Sequence, residues 1–179
     1  AGSGGVAHVD CAKRFRASDD PYRALYLKGY IPSISVVVRR DAVLAAGGFD
    51  ESLRNAQDFE LWLAVLADPA AQFTVFGEAL ARYHATAGSI MSHTERRLRC
   101  CEIIARRYVP ALRARRSCRP FSTYLLRILS VNYEAVCFYA RTSRPGKVVL
   151  TLALLPIRMI QGLLSNPASR RGIQNAGIL

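Results

Sequence analysis

Acidic residues are scarce in this chain of 179 residues: 13 Asp and Glu stand against 25 Lys and Arg, a net charge of +12. Lysine is scarce as well, so 22 of the 25 basic residues are arginine. Such a chain is drawn to polyanions, meaning nucleic acid, phosphorylated substrates or anionic lipid. The five cysteines (Cys11, Cys100, Cys101, Cys118, Cys137) are an odd number without a CxxC pair. That excludes a disulfide framework and a spaced zinc site, and reads as free thiols in a reducing cytosol. There is no internal repeat and no low-complexity tract. The N-terminus lacks the basic-then-apolar pattern of a secretion signal, and its abrupt start reads as a chain cut from something longer. Long apolar runs are missing too. From Val148 the uncharged run before Arg158 is ten residues, too short to span a bilayer. It fits a membrane-surface or re-entrant segment as well as a docked helix. What remains is 51% hydrophobic and 21% charged, the composition of a folded protein rather than a disordered one.

Three zones differ in composition: residues 1–92, with short β-like runs and turns; 93–119, dominated by arginine; and 120–179, an apolar helical tail with a polar terminus. In the first zone Ile34 to Val38 is a β-branched run and predicts a buried strand. Asp41 opens a brief helix through Ala46, which Gly47 and Gly48 end by taking positive φ. Asn55 is a candidate N-cap for a helix over Ala56–Ala67, with Phe59, Trp62, Leu63 and Leu66 on one face. Phe73–Phe76 and Leu80–Tyr83 predict short strands. In the second zone Leu98, Cys101, Ala105, Tyr108 and Leu112 form a helical stripe, bent at Pro110. Around it nine arginines face only Glu95 and Glu102. In the third, Phe121–Arg141 reads as a mostly buried helix, and Pro145 begins another that runs to about Leu164.

The stretch Val38 to Leu63, VRRDAVLAAGGFDESLRNAQDFELWL, resembles the segment after the metal-binding region of family 2 glycosyltransferases. There a strand ends in arginine, a short helix leads to Gly-Gly-Phe-Asp-Glu, and an acidic pair opens a Leu-Trp-Leu helix. Ala81 to Ser92, ARYHATAGSIMS, is similar to the family's Tyr-Arg-x-His-x-x-Ser segment in altered form. The resemblance runs from Tyr30 to Ser92, about a third of the chain, and its specificity lies in the order and spacing of the pieces. It implies an α/β fold: the C-terminal, acceptor-side part of a GT-A (Rossmann-like) domain, followed by an α-helical, partly amphipathic tail. The implied activity is transfer of a sugar from a nucleoside-diphosphate sugar to an acceptor hydroxyl with inversion, in cell-surface polysaccharide or glycolipid synthesis.

By that resemblance Asp58 matches the catalytic base. A single displacement needs a carboxylate that removes the acceptor proton as the new bond forms, and a helix start favours the ionised form. Spacing alone favours a capping box of Asn55 with Asp58, and it is the resemblance that turns the reading towards the base. Gly48, Asp50, Gln57 and Arg40 are the implied substrate-binding residues. Gly47-Gly48-Phe49-Asp50 reads structurally as a helix C-cap and turn, Arg39 and Arg40 as a solvated strand end, and Trp62 as core rather than a sugar platform. There are departures. Gln57 replaces an acidic residue, Ala64 an arginine, and Thr86 stands where the family has a histidine, leaving His84 as the candidate metal or diphosphate contact.

A divalent metal, Mg or Mn, is expected for the complete enzyme, but no Asp-x-Asp motif and no glycine-rich phosphate loop occurs in this chain. The chain is therefore read as lacking the sugar-nucleotide half and as inactive alone. The expected location is cytoplasmic, peripheral on the inner face of the plasma membrane. Two other readings compete: a basic membrane-surface protein without catalysis, and a nucleic-acid-binding protein. The second lacks any module fingerprint and any interleaving of aromatics with arginine. Neither accounts for residues 38–63.

Overall fold

The computed structural model describes residues 11–18, 20–28, 31, 33–78 and 94–164. Helices make up 70% of the structure, and no strand occurs among the described residues. This overturns the expected α/β class. Ile34 to Val38 instead forms a 3₁₀ turn, Ser33–Ser35, followed by extended backbone. Val37 is fully exposed, at 102%. The β-branched run has the composition of a strand, but a strand is completed by ladder bonds to a neighbour. No neighbouring strand is present among the described residues. Phe73–Phe76 is likewise without a ladder, and Leu80–Tyr83 lies outside the described residues.

The helices are α1 Cys11–Arg16, α2 Pro21–Lys28, α3 Arg40–Ala45, α4 Gln57–Val65, α5 Thr94–Arg107, α6 Val109–Arg113, α7 Pro120–Arg141 and α8 Pro145–Leu164. Proline occupies the first position of α2, α7 and α8, where its missing N–H has no intrahelical partner to lose. Asp20 adds a side-chain cap, accepting the Tyr22 N–H at 2.8 Å. Pro110 does bend the arginine-rich segment: α5 stops at Arg107 and α6 starts at Val109. Between α7 and α8 the chain reverses through Ser143 at φ 54°. The Arg144 N–H reaches back to the Tyr139 carbonyl at 2.9 Å, and the Ser143 N–H to Ala140 at 3.2 Å. That pair of bonds is a Schellman motif.

Helix α7 is the centre of the packing, in contact with α8, α5, α2 and α6. Its buried residues Tyr124, Ile128, Val131, Ala135 and Tyr139 recur at helical spacing. The main core joins Tyr124 and Ile128 to Tyr22, Leu25 and Tyr26 of α2, Phe59, Leu61, Trp62 and Leu63 of α4, and Ile104 and Leu112, while Val131, Ala135 and Tyr139 form a second cluster with Leu98 and Cys101 of α5. Buried tyrosines satisfy their hydroxyls on backbone carbonyls: Tyr26 donates to Ala105 at 2.6 Å and Tyr124 to Arg158 at 2.6 Å. Burial and the neighbouring Asp20 carboxylate push the Cys118 thiol up to about 12, so it stays protonated and unreactive at neutral pH.

The α7–α8 contact has one point of very close approach. A Cβ built on Gly162 would lie 1.9 Å from Tyr124 Cζ and 2.1 Å from its hydroxyl oxygen. Tyr124 is fully buried, so its ring has little room to retreat. Replacing a helical glycine by alanine ordinarily gains about 1 kcal/mol, but here overpacking costs about 1–3 kcal/mol. Gly162→Ala should therefore lower the melting temperature by a few degrees; a thermal scan that shows it raised would place Tyr124 elsewhere.

Candidate functional site

The site is built on the turn from α3 into α4. Helix α3 ends as expected, with Gly47 and Gly48 at φ 85° and 72°. The Gly47 N–H donates to the Leu44 carbonyl at 3.0 Å and the Gly48 N–H to Val43 at 2.9 Å, a second Schellman motif. A Cβ on Gly48 would meet nothing within 4 Å. Glycine is thus required there by the left-handed backbone, not by crowding, and the space beside it is open.

Two residues later Asp50 turns inward. Its Oδ1 accepts the Ser52 N–H at 2.9 Å and the Ser52 hydroxyl at 2.6 Å, and its Oδ2 accepts Arg107 Nη1 at 2.7 Å. Burial alone would raise the Asp50 carboxyl, but the bonds from Ser52 and Arg107 outweigh it and hold the group below the usual carboxylate range. The same Arg107 Nη1 donates to Glu60 Oε1 at 2.8 Å, and the Tyr108 hydroxyl donates to that oxygen at 2.7 Å. Glu60 is 0% exposed. Two carboxylates are therefore drawn onto one buried guanidinium.

Asp58 stands apart from this cluster. It is the second residue of α4, half-buried, and its Oδ1 accepts the Phe59 N–H at 2.8 Å. That N–H is one of the unpaired donors of a helix start. Among the described residues Asp58 has no ion pair. The N-cap is Ala56, at φ 59°, rather than Asn55. Asp58 consequently does not sit at the third position of an Asn55 capping box, but serves the helix start one position earlier, through the Phe59 N–H.

The other expected residues divide. Gln57 Nε2 donates to the Leu53 carbonyl at 2.8 Å, folded back on its own loop. Arg40 is exposed at the start of α3, while its neighbour Arg39 pairs with Asp41. Trp62 is buried, its Nε1 donating to Ile31 at 3.3 Å, and packs as core. His84 lies outside the described residues. The turn thus brings Asp50 together with Glu60, Arg107 and Tyr108, three residues not singled out from sequence. The available signal was Glu60 itself: an acid between Phe59 and Leu61 in a helix buried on most sides demands a cation.

Among the described residues no three His, Cys, Asp or Glu side chains converge to hold a metal, and Asp50 and Glu60 are engaged by Arg107. The expectation of Mg or Mn rests on the resemblance alone. One open recess, lined by Pro21, Ala71, Gln72, Phe73 and Thr74, does not include Asp58. No known protein family, curated protein or solved structure matches this chain.

Two outcomes follow from the cluster. Removing Arg107 leaves Glu60 buried without a counter-charge, so Arg107→Ala should cost about 3–5 kcal/mol in denaturant unfolding. Asp50, with its folded pKa depressed, contributes stability that is present above its unfolded value of about 3.9 and is lost as pH falls through the folded value. Asp50→Asn should be less stable at neutral pH and show a shallower acid limb. Parallel acid limbs for the two proteins would mean that Asp50 is solvated.

Proposed function

We propose that the chain serves as the acceptor-side part of an inverting sugar transferase, with Asp58 as the general base, working beside a unit that binds the nucleoside-diphosphate sugar. One observation carries this reading. Of the four carboxylates from Asp50 to Glu60, Asp50 and Glu60 are spent on Arg107 and Glu51 is exposed in the loop, which leaves Asp58 as the carboxylate of α4 without an ion pair among the described residues.

The division suits the chemistry. In a single displacement the acceptor hydroxyl attacks the anomeric carbon, the bond to the diphosphate breaks, and the hydroxyl proton must leave as the new bond forms. A carboxylate held against a guanidinium is a weaker base for that proton, because the adjacent positive charge favours its ionised form. Asp58 keeps one oxygen on the Phe59 N–H, which orients it. Arg107 meanwhile holds the loop of Asp50 and the first turns of α4 in one register, so the base is carried on a fixed frame. The open space at Gly48, in the loop that leads to α4, leaves room for an acceptor to approach backbone. The resemblance of residues 38–63 to family 2 glycosyltransferases supplies the reaction class.

The test is sugar transfer measured in membranes of the source cells carrying Asp58→Asn at the chromosomal locus. Loss of general-base catalysis should lower transfer by about two to four orders of magnitude. The purified variant should melt close to the parent, because no ion pair is lost. Transfer within a few-fold of the parent would reduce Asp58 to a helix-start residue.

A further inference from the structure

Helix α8 is amphipathic in the reverse sense to a helix of a water-soluble protein. Its only two charges lie on the side that meets other helices: Lys147 pairs with Glu95 at the exposed edge, and Arg158, more deeply set, pairs with Glu102 (Nε to Oε1, 3.2 Å) and bonds to Asn132. Thr151 is buried on the same side. The opposite arc carries Val149, Leu150, Leu152, Ile157, Ile160 and Leu164, every one more than half exposed. Along the neighbouring helix α7, Leu126, Leu129 and Tyr133 are exposed at helical spacing. An apolar surface of this extent facing water marks a contact with something else.

Charge decides what that is. Residues 103–179 contain thirteen Lys and Arg and a single acid, Glu134, so the whole net charge of +12 lies in this part of the chain. Glu134 is itself paired with Arg97 at 2.8 Å. Exposed arginines stand at both ends of α7, Arg116 and Arg119 before it and Arg141 and Arg144 after it. A second copy of the chain would bring these like charges against themselves, whereas an anionic lipid surface meets both the apolar arc and its basic ends. Tyr133, 70% exposed, is the kind of side chain that sits at the headgroup level. No helix among the described residues is long and apolar enough to cross a membrane.

We infer that the outward face of the α7–α8 hairpin docks in the plane of an anionic membrane surface, with the α8 arc in the acyl boundary and the terminal arginines on the headgroups. This places the lipid contact on the segment whose ten-residue uncharged run fits a membrane-surface helix. Of the five arginines of helix α5, three are bonded within the protein, with Arg97 on Glu134, Arg106 on Gln161 and Arg107 on Glu60, while Arg96 and Arg99 are exposed. The docking requires nothing of the transferase chemistry proposed above.

Co-sedimentation of the full chain with phosphatidylcholine vesicles, with and without phosphatidylglycerol, reads this out. Binding should need the anionic lipid and fade with salt. Paired Ile157→Asp and Ile160→Asp changes should weaken it by about tenfold or more. Paired Arg141→Glu and Arg144→Glu changes should weaken it comparably and flatten its salt dependence. All four positions are outside the core, and unchanged melting temperatures would show that the variants are folded. Equal binding to neutral vesicles, or none to either, overturns the inference. So does a dimer, seen by analytical ultracentrifugation, that the two aspartates dissolve.

Discussion

Arg107 lies in the last turn of α5 with its side chain only 4% exposed, and from there its Nη1 holds Asp50 of the loop after α3 and Glu60 of α4. Taking three charges out of water costs several kcal/mol per ion before any attraction is counted. The arrangement therefore adds little as a stabiliser, and its weight is in what it forbids. Glu60 can be buried only where a cation meets it, so α4 can pack against α5 in one register and not in a neighbouring one. The loop of Asp50 is drawn into the same position. Tyr108 adds a neutral donor to the Glu60 oxygen that already receives Arg107. Arg107 Nε and Nη2 have no hydrogen-bond partner among the described residues, so the cation side of the cluster is less satisfied than the anion side.

The helices were legible because their signals are local. Pro120 and Pro145 announce α7 and α8 at their first residues, and Gly47-Gly48 announces the end of α3 within two residues of where it falls. The strands were misread for the opposite reason. Ile34 to Val38 has β-branched side chains, but a strand is a relation between segments, and five residues carry no information about a partner. Without a ladder the run falls into a 3₁₀ turn and extended backbone, and of its apolar side chains only Val36 packs against the core while Ile34, Val37 and Val38 remain in water.

At the candidate site the sequence revealed the turn and Asp58, but not the division of labour among carboxylates. Asp50 was expected to meet substrate and instead meets Arg107 and Ser52. Its acidic character and loop position are the same in either role, and only the position of a residue 57 places along the chain distinguishes them. Arg107 itself was hidden by its surroundings. In a segment with nine arginines it read as one more surface cation, although Tyr108 beside it already belonged to the apolar stripe.

The same concealment applies to the arginine content as a whole. Arg115 donates from Nη2 to the carbonyls of Leu66 and Asp68, each at 2.8 Å, closing the end of α4, and its guanidinium lies 4.6 Å from the centre of the Tyr22 ring. Arg127 donates to Leu27 in the last turn of α2 and lies 4.6 Å from the centre of the Phe59 ring. Arg23 bonds Thr123 at 2.9 Å. These are uses of a planar fork: it bonds carbonyls along its edge while its face rests on an aromatic ring. A lysine ammonium could match the charge but not the geometry, which explains why arginine outnumbers lysine so heavily where helices meet. Composition counts all of these cations as available to a polyanion. The structure withdraws the ones that hold helix ends, carboxylates and rings, and leaves exposed those at the ends of α7, where only long-range attraction is needed and lysine would serve as well.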